Sequence, residues 1–421
     1  MALNRGVATP TPVPAAPDGF RFVLALKLGH VAAWLSRRIL RRSGGVIGGR
    51  VLAAIAPGSA KALAERHRIV LVSGTNGKST TTAMMTAALA TRGEVATNSD
   101  GANTPPGLLW ALANARPTDV VLEVDEAWVP WAVREFSPYA VLLLNLTRDQ
   151  LHRNPEVGRL AGGWRGAVDA VPVVVANADD PWVAWAAETG GRQVWVGAGQ
   201  EWDEDSLVCP ECGRLLDRTG AWSCACGRSR PETSWNRGPD GTVLPPTGPP
   251  LHYGTLPGSG NLANAAMVLA AASELGVEPA QALRGLETVT NVAGRYATVH
   301  AQHHDVRLVL AKNPASWRTS MALISDHDGA VVLAFNADGA DGRDPSWLYD
   351  VDFSELRGRQ VVVCGERATD LAVRLDLDGV EVEGQYGDLS GALRAMPPGP
   401  VDLVATYTAF QRARRELGGA A

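Results

Sequence analysis

The sequence predicts an α/β protein built on mostly parallel sheets, and three observations predict it. Short runs of Val, Ile and Leu, bounded by turn residues, recur along the chain. Strands buried on both faces have that composition. Helix-length stretches separate these runs, and a βαβ alternation implies parallel pairing. Residues 74–80 read Gly-Thr-Asn-Gly-Lys-Ser-Thr, directly after one apolar run and directly before a helical stretch.

The elements follow in order. Residues 1–19 are Pro-rich and predicted to be irregular, with no apolar core and cleavage site of a secretion signal. Residues 20–40 (FRFVLALKLGHVAAWLSRRIL) predict a helix ending in Arg37, Arg38, Arg41 and Arg42. Lys27 and His30 interrupt its apolar part, which is too short to span a bilayer. As an amphipathic helix it either packs on the domain behind it or lies on an anionic membrane surface. Helices continue to residue 66. Strands are then predicted at 69–74, 120–125, 139–146 and 171–177. Residues 200–255 break the rhythm with four cysteines and a Pro/Gly-rich loop, which reads as an insertion centred on about 205–229. A helix at 261–275 resumes the pattern. A second α/β unit carries strands at 306–311, 330–336, 360–365 and 401–406. The expected layout is a tail and amphipathic helix at 1–50, a central domain at 51–295, and a Rossmann-like α/β domain at 296–421.

The 421 residues suit two to three domains. The hydrophobic fraction of 46% and charged fraction of 20% are those of a globular chain with a sizeable core. A net charge of −5 argues against a nucleic-acid coat, which needs a basic surface to neutralise phosphates. The acidic stretch EWDEDSLVCPEC argues against a nucleic-acid-binding ribbon. Only Lys27, Lys61, Lys78 and Lys312 are lysine, so a lysine in a motif stands out.

The strand–GTNGKST–helix arrangement is a compact phosphate loop. Gly74, Thr75, Asn76 and Gly77 turn the backbone so that its N–H groups and the helix N-terminus face phosphate oxygens. Lys78 is expected to pair with the β and γ phosphates of ATP, and the Ser79 or Thr80 hydroxyl to ligate Mg²⁺. Glu123, ending a predicted strand, is a candidate second metal or water-orienting group, with Asp125 and Glu126 as near alternatives. Asp149 and His152 form a further candidate pair.

Four of the five cysteines cluster as Cys209-x-x-Cys212 and Cys224-x-Cys226. Four thiolates so spaced are suited to a closed, structural tetrahedral Zn²⁺ site. Cys364 follows three valines and reads as a buried strand residue.

In series, GTNGKST, Glu123, NLTRDQLH (145–152), NADDP (177–181), NLANAAMVLAA (261–271) and AGR (293–295) resemble the Mur ligase family over residues 65–300. The four-cysteine insert, AKNPAS (311–316) and NADGADGRDPSWLYDVDF (336–353) resemble its MurT type, the synthetase subunit of lipid II isoglutaminyl synthase. One cysteine spacing departs from that type, since Ala225 alone separates the second pair. The resemblance implies ATP-dependent amidation of the α-carboxylate of D-glutamate in the lipid II stem peptide, through an acyl phosphate. Ammonia would come from a separate GatD-type glutaminase. The chain would act in the cytoplasm, with its lipid-linked substrate at the inner membrane face.

Residue roles follow by the same resemblance. Lys78, Ser79 and Thr80 hold phosphates and Mg²⁺, and Glu123 and His152 a second metal. Asn264, near Asn261, contacts adenine, unless it serves as a helix cap. Arg295 reaches the phosphates from the hinge. Asp350 orients the partner's catalytic His, with Asp344 and Asp352 as competing choices. The alternative is an amide ligase of the folylpolyglutamate-synthase kind, acting alone on an amino acid.

Overall fold

The computed structural model describes residues 19–39, 45–98, 102–116, 118–149, 156–291, 296–301, 303–325, 329–337, 341–342 and 344–417. Two sheets organise the chain. The first has nine strands: β1 Arg68–Ser73, β2 Val95–Thr97, β3 Asp119–Glu123, β4 Ala140–Leu143, β5 Val173–Asn177, β6 Arg192–Gly197, β7 Trp235–Arg237, β8 Thr242–Leu244 and β9 Leu251–His252. Their order is β2-β3-β1-β4-β5-β6-β7-β8-β9. Pairing is parallel from β2 to β7 and antiparallel across β7-β8-β9. β3 and β4 flank β1 on opposite sides, so the chain changes direction there. Ligands of open α/β sheets bind beyond the carboxyl ends of strands at such a switch point.

Both faces of this sheet are covered, as the continuous apolar runs demand. Ile69 and Leu71 of β1 face one core with Leu122, Val141 and Trp164. Val70 and Val72 face the other, with Met84, Met85 and Val268. The helix Ser259–Glu274 lies over this second face with Ala265 through Ala272 all buried. A helix apolar all round its circumference belongs in such a position. Truncating a side chain such as Leu71 to Ala would cost about 2–5 kcal/mol.

The second sheet has six strands: β10 Tyr296–Ala301, β11 His304–Leu310, β12 Ala330–Ala334, β13 Val361–Cys364, β14 Gly384–Tyr386 and β15 Gly399–Ala405. Their order is β10-β11-β15-β12-β13-β14, parallel except for the β10-β11 hairpin. Val331 and Leu333 pack into one core and Val332 and Ala334 into the other. Cys364 is a buried residue of β13, and burial pushes its thiol up to about 12. Strands β2, β6, β7, β8, β9, β10 and β14 escape a sequence reading. Of these β2, β9, β10 and β14 are sheet edges, and the others carry apolar runs that are brief or broken by polar residues.

The helix Phe20–Ile39 packs on Gly45–Ile55, which packs on Pro105–Asn114. A side chain at Gly29 or Gly48 would meet the Trp110 ring at 2.7 Å, so both positions need glycine for the close approach. Phe22, Ala25, Ala33 and Ser36 of the first helix face inward. Its other side is also apolar, so the helix does not divide into one apolar and one polar face. No helix among the described residues is long and apolar enough to cross a membrane.

Candidate active site

The phosphate loop leaves the end of β1 and enters the helix Lys78–Ala90. Gly77 has a φ of 85°, and a Cβ there would meet Asn264 Oδ1 at 2.6 Å. Only glycine satisfies both the left-handed turn and this contact. The loop is stitched to the segment after β4. Thr75 N–H donates to the Asn145 carbonyl (2.9 Å), and Asn76 N–H donates to Asn145 Oδ1 (2.9 Å). Asn145 Nδ2 returns a bond to the Asn76 carbonyl (3.0 Å). Thr147 N–H donates to Thr75 Oγ1 (3.0 Å). The conformation is therefore held before any ligand arrives.

Lys78 Nζ donates to the Gly74 carbonyl (2.5 Å) and the Thr75 carbonyl (3.2 Å), and pairs with Glu126 Oε2 at 2.8 Å. Both charged groups are buried. Burial alone would depress the ammonium, but Glu126, then Glu123, outweigh it and its pKa is raised. For Glu126 burial works upward, but Lys78 and then Lys312 outweigh it and its pKa is lowered. The pair is ionised, and Glu126 waits where the lysine would otherwise meet an anion. Asp125 caps the following turn through Ala127 N–H (3.2 Å), and burial, then Glu126, raises its pKa.

Glu123 ends β3, in register with Val72 of β1. Its Oε2 accepts from Ser79 Oγ (2.8 Å) and its Oε1 from Asn103 Nδ2 (3.0 Å). Asn98 clamps its backbone from both sides, accepting from its N–H and donating to its carbonyl, each at 2.8 Å. Of the two hydroxyls the sequence offers for a metal, Ser79 is the one brought to Glu123. Thr80 lies one residue, about 100°, further round the helix and lines the cleft. His152 and Arg295 lie outside the described residues.

A cleft of about 260 Å³ opens from the loop. Asn264 and Asn261 line it from the helix Ser259–Glu274, and Asn261 Nδ2 also donates to the Pro257 carbonyl (2.7 Å). Leu256, Met267, Leu310 and Leu323 supply apolar lining suited to a planar base. The second sheet's domain closes the other wall. Asn76 and Asn313 exchange side-chain amide bonds at 3.3 and 3.2 Å, and Thr319 Oγ1 donates to Glu201 Oε2 at 3.2 Å. Lys312 Nζ pairs with Asp149. Glu201 carries no local motif signal. Lys312 and Asn313 fall in the AKNPAS segment (311–316), which marks the stretch without assigning either a role.

Next to Asp149, Arg148 reaches a different part of the same domain. Its backbone N–H donates to Asp205 Oδ2 (2.9 Å), its Nε pairs with Asp205 Oδ1, and its other arm reaches Asp350 Oδ2 at 3.3 Å. Asp350 ends the short helical turn Ser346–Asp350 and is half-buried. The competing aspartates are engaged locally. Asp344 Oδ1 accepts from Ser346 N–H and Asp352 Oδ1 from Ser354 N–H, each at 2.9 Å. That bonding, Ser354 N–H first, holds the Asp352 carboxyl low.

The four cysteine sulfurs all lie within 4.8 Å of one another, with Cys209–Cys226 at 3.7 Å and Cys212–Cys224 at 3.5 Å. Tetrahedral Zn–S bonds of about 2.3 Å require S···S edges of about 3.8 Å, so the donor set fits. The uneven spacing is absorbed in the turns. Gly213 N–H closes back on the Cys209 carbonyl four residues earlier, and Gly227 N–H on the Cys224 carbonyl three residues earlier. Trp222 Nε1 donates to the Ala178 carbonyl (2.9 Å), and Arg230 pairs with Asp179 at 2.5 Å, docking the ribbon on the first sheet.

Residues 72–207 match the family model for the Mur ligase middle domain, and residues 310–410 match that for the MurT ligase C-terminal region. The chain belongs to the Mur ligase family. It is 29% identical to the subunit MurT of lipid II isoglutaminyl synthase (glutamine-hydrolyzing) of Staphylococcus aureus, over 85% of this chain and 88% of that one. It is 28% identical to the same-named subunit of Streptococcus pneumoniae, over 94% and 97%. A pseudomurein peptide ligase type C from Methanothermus fervidus shares the fold, with a TM-score of 0.64 at 19% identity over 83% of this chain and 78% of that one. The chain is thus an ATP-dependent ligase, and its phosphate loop and the second sheet's domain meet at one cleft. The C-terminal match spans the segment that carries Asp350.

Proposed function

We propose that the chain is the synthetase subunit that amidates the α-carboxylate of D-glutamate in the lipid II stem peptide, giving D-isoglutamine. The carboxylate oxygen attacks the γ-phosphorus of ATP, the bond to ADP breaks, and an acyl phosphate forms. Ammonia then attacks the acyl carbon. Phosphate leaves with the bonding pair, and the nitrogen loses a proton. The observation that carries this reading is the pairing of a Mur-type ATP cleft with a MurT-type C-terminal region in one chain. Cys364, the one cysteine outside the ribbon, is a buried strand residue whose thiol burial pushes up. Ammonia comes from a GatD-type glutaminase subunit, in keeping with the glutamine-hydrolyzing synthase whose subunit MurT this chain resembles.

The residue roles are assigned on this reading. The loop N–H groups from Gly74 to Lys78 grip phosphate, and Lys78 exchanges Glu126 for a phosphate oxygen. Ser79 and Glu123 hold Mg²⁺, which when bound neutralises charge on the transferring phosphoryl group. Asn264 borders the base. Thr80, one residue beyond Ser79 on the cleft lining, borders the phosphates and not the metal, and His152 and Arg295 retain the roles the family resemblance implies. Asp350 faces the partner and orients its catalytic His, as a carboxylate must to fix tautomer and stabilise imidazolium. Cys209, Cys212, Cys224 and Cys226 hold structural Zn²⁺. Metal analysis of the purified chain is expected to find one zinc per chain, lost in Cys212→Ser together with Cys226→Ser.

The test is amidation of lipid II by the chain with ATP, read by mass spectrometry with ammonium or glutamine as nitrogen source. Product with ammonium alone, and with glutamine only when the glutaminase subunit is added, is expected. An amino-acid adduct in place of the amide would overturn the reading in favour of a ligase that acts alone.

A further inference from the structure

The cleft and the ribbon leave one large surface unexplained, the outer side of the helix Phe20–Ile39. Seven large apolar side chains on it are solvent-exposed: Phe20 (84%), Val23, Leu24, Leu28, Val31 (54%), Trp34 (52%) and Leu35. Their spacing of three and four residues sets them in one stripe, about 22 Å long at the helical rise. The buried Phe22, Ala25 and Ala33 point the opposite way. Monomeric proteins rarely leave a contiguous apolar strip of this kind bare, and such a strip marks a binding surface.

The charges around the strip say what covers it. Eight of the chain's 39 Lys and Arg, and none of its 44 Asp and Glu, fall between residues 19 and 64. That segment carries +8 in a chain of net −5, so the remainder carries −13. Arg21, Lys27, Arg37 and Arg38 on the helix are all exposed. Lys27 stands within the apolar stripe, and the Arg38 guanidinium sits 5.7 Å from the centre of the Trp34 ring. In a protein interface, a lysine in the middle of the apolar patch would be desolvated at a cost. At a lipid surface its stem lies among acyl chains and its ammonium reaches the headgroups. Tryptophan is suited to the same boundary, with an apolar body and an N–H tip. The helix does not cross a bilayer.

We infer that the outer face of Phe20–Ile39 docks the protein, parallel to the surface, on a membrane rich in anionic phospholipid. Val31 and Trp34 enter the acyl boundary, and Arg21, Lys27, Arg37 and Arg38 pair with phosphate headgroups. The remaining acidic surface faces away from the lipid. This does not rest on the substrate assignment, because the surface recognises bulk lipid and not the stem peptide.

The test is flotation of the full chain with vesicles of phosphatidylglycerol and phosphatidylcholine, or of phosphatidylcholine alone, with no substrate present. The chain is expected to float with the anionic vesicles only, and to be released by salt. Val31→Glu with Trp34→Glu is expected to abolish flotation, and Arg37→Gln with Arg38→Gln to weaken it roughly fivefold for each charge removed. ATP binding in solution, at a cleft lined by no residue of this helix, checks that the variants are folded and should not change. Failure of the wild-type chain to float would overturn the inference, as would equal flotation of the Glu variant. A wild-type dimer that Val31→Glu with Trp34→Glu converts to monomer would overturn it too, assigning the face to a second copy of the chain.

Discussion

The phosphate loop and the aspartate-bearing turn Ser346–Asp350 are built in opposite ways. The loop is over-determined. It joins a buried strand to a helix, and its backbone is tied to Asn145 and Thr147 by short polar contacts. The turn is under-determined. It lies on a loop of the second sheet, its carboxylate is half-buried, and Arg148 links it to the other domain at 3.3 Å. A site that acts on a small ligand must be rigid before the ligand arrives. On the proposed function, a group that completes another protein's site must stay accessible until that protein docks. Yet the two meet at one point of the chain. Asp149 pairs with Lys312 on the cleft wall, and its neighbour Arg148 pairs with Asp350.

Four changes would break or sharpen this contrast. The largest effect is expected for Asp350→Asn in the complex with the glutaminase subunit. The glutamine-driven rate should fall on the order of 10⁴-fold, as loss of a His-orienting carboxylate does, while the ammonium-driven rate stays within a factor of a few. Equal loss from both nitrogen sources would move Asp350 into the ligation chemistry. Next is Glu126→Gln, which leaves the buried Lys78 without its acid. Unfolding titrations of the nucleotide-free chain should show a loss of about 3–5 kcal/mol, and ATP should restore more stability to the variant than to the wild type.

The pH dependence has a defined sign. The Glu126 carboxyl is held below its ordinary 4.5, so its stabilisation is present above that pH and lost as pH falls through the lower folded value. The variant should lack that part of the acid limb.

Lys78→Ala is expected to lower amidation by about 10²–10³-fold, whichever nitrogen source is supplied. A glutamine-selective defect would contradict its place at the phosphates. The smallest effect concerns the link itself. A double-mutant cycle of Arg148→Ala and Asp350→Ala on unfolding free energy should give a coupling of about 0.2–1 kcal/mol, because both side chains are partly exposed. The glutamine-driven rate of Arg148→Ala should fall more than its ammonium-driven rate. A coupling of zero with equal rates would make Arg148 a partner of Asp205 alone.

The sequence by itself determined what is contiguous. The order of the long strands, the GTNGKST loop with its flanking strand and helix, the paired cysteines and the aspartate-rich segment each sit within a short window. Local backbone chemistry and hydrophobic periodicity act over that range. The boundaries of weak elements were less legible, since β2, β10 and β14 owe their conformation to sheet neighbours rather than to their own residues. Only the tertiary structure decided which of several equivalent groups face each other. It set Ser79 rather than Thr80 against Glu123, and Glu126 against Lys78. It bonded Asp344 and Asp352 within their own turns while leaving Asp350 to Arg148. It also left the outer side of the first helix bare, where the apolar pattern alone reads equally as core or surface. Apart from the two local turns, those outcomes depend on partners far apart in the chain, up to 237 residues for Asn76 and Asn313. No local spacing encodes a distance that packing of two sheets sets.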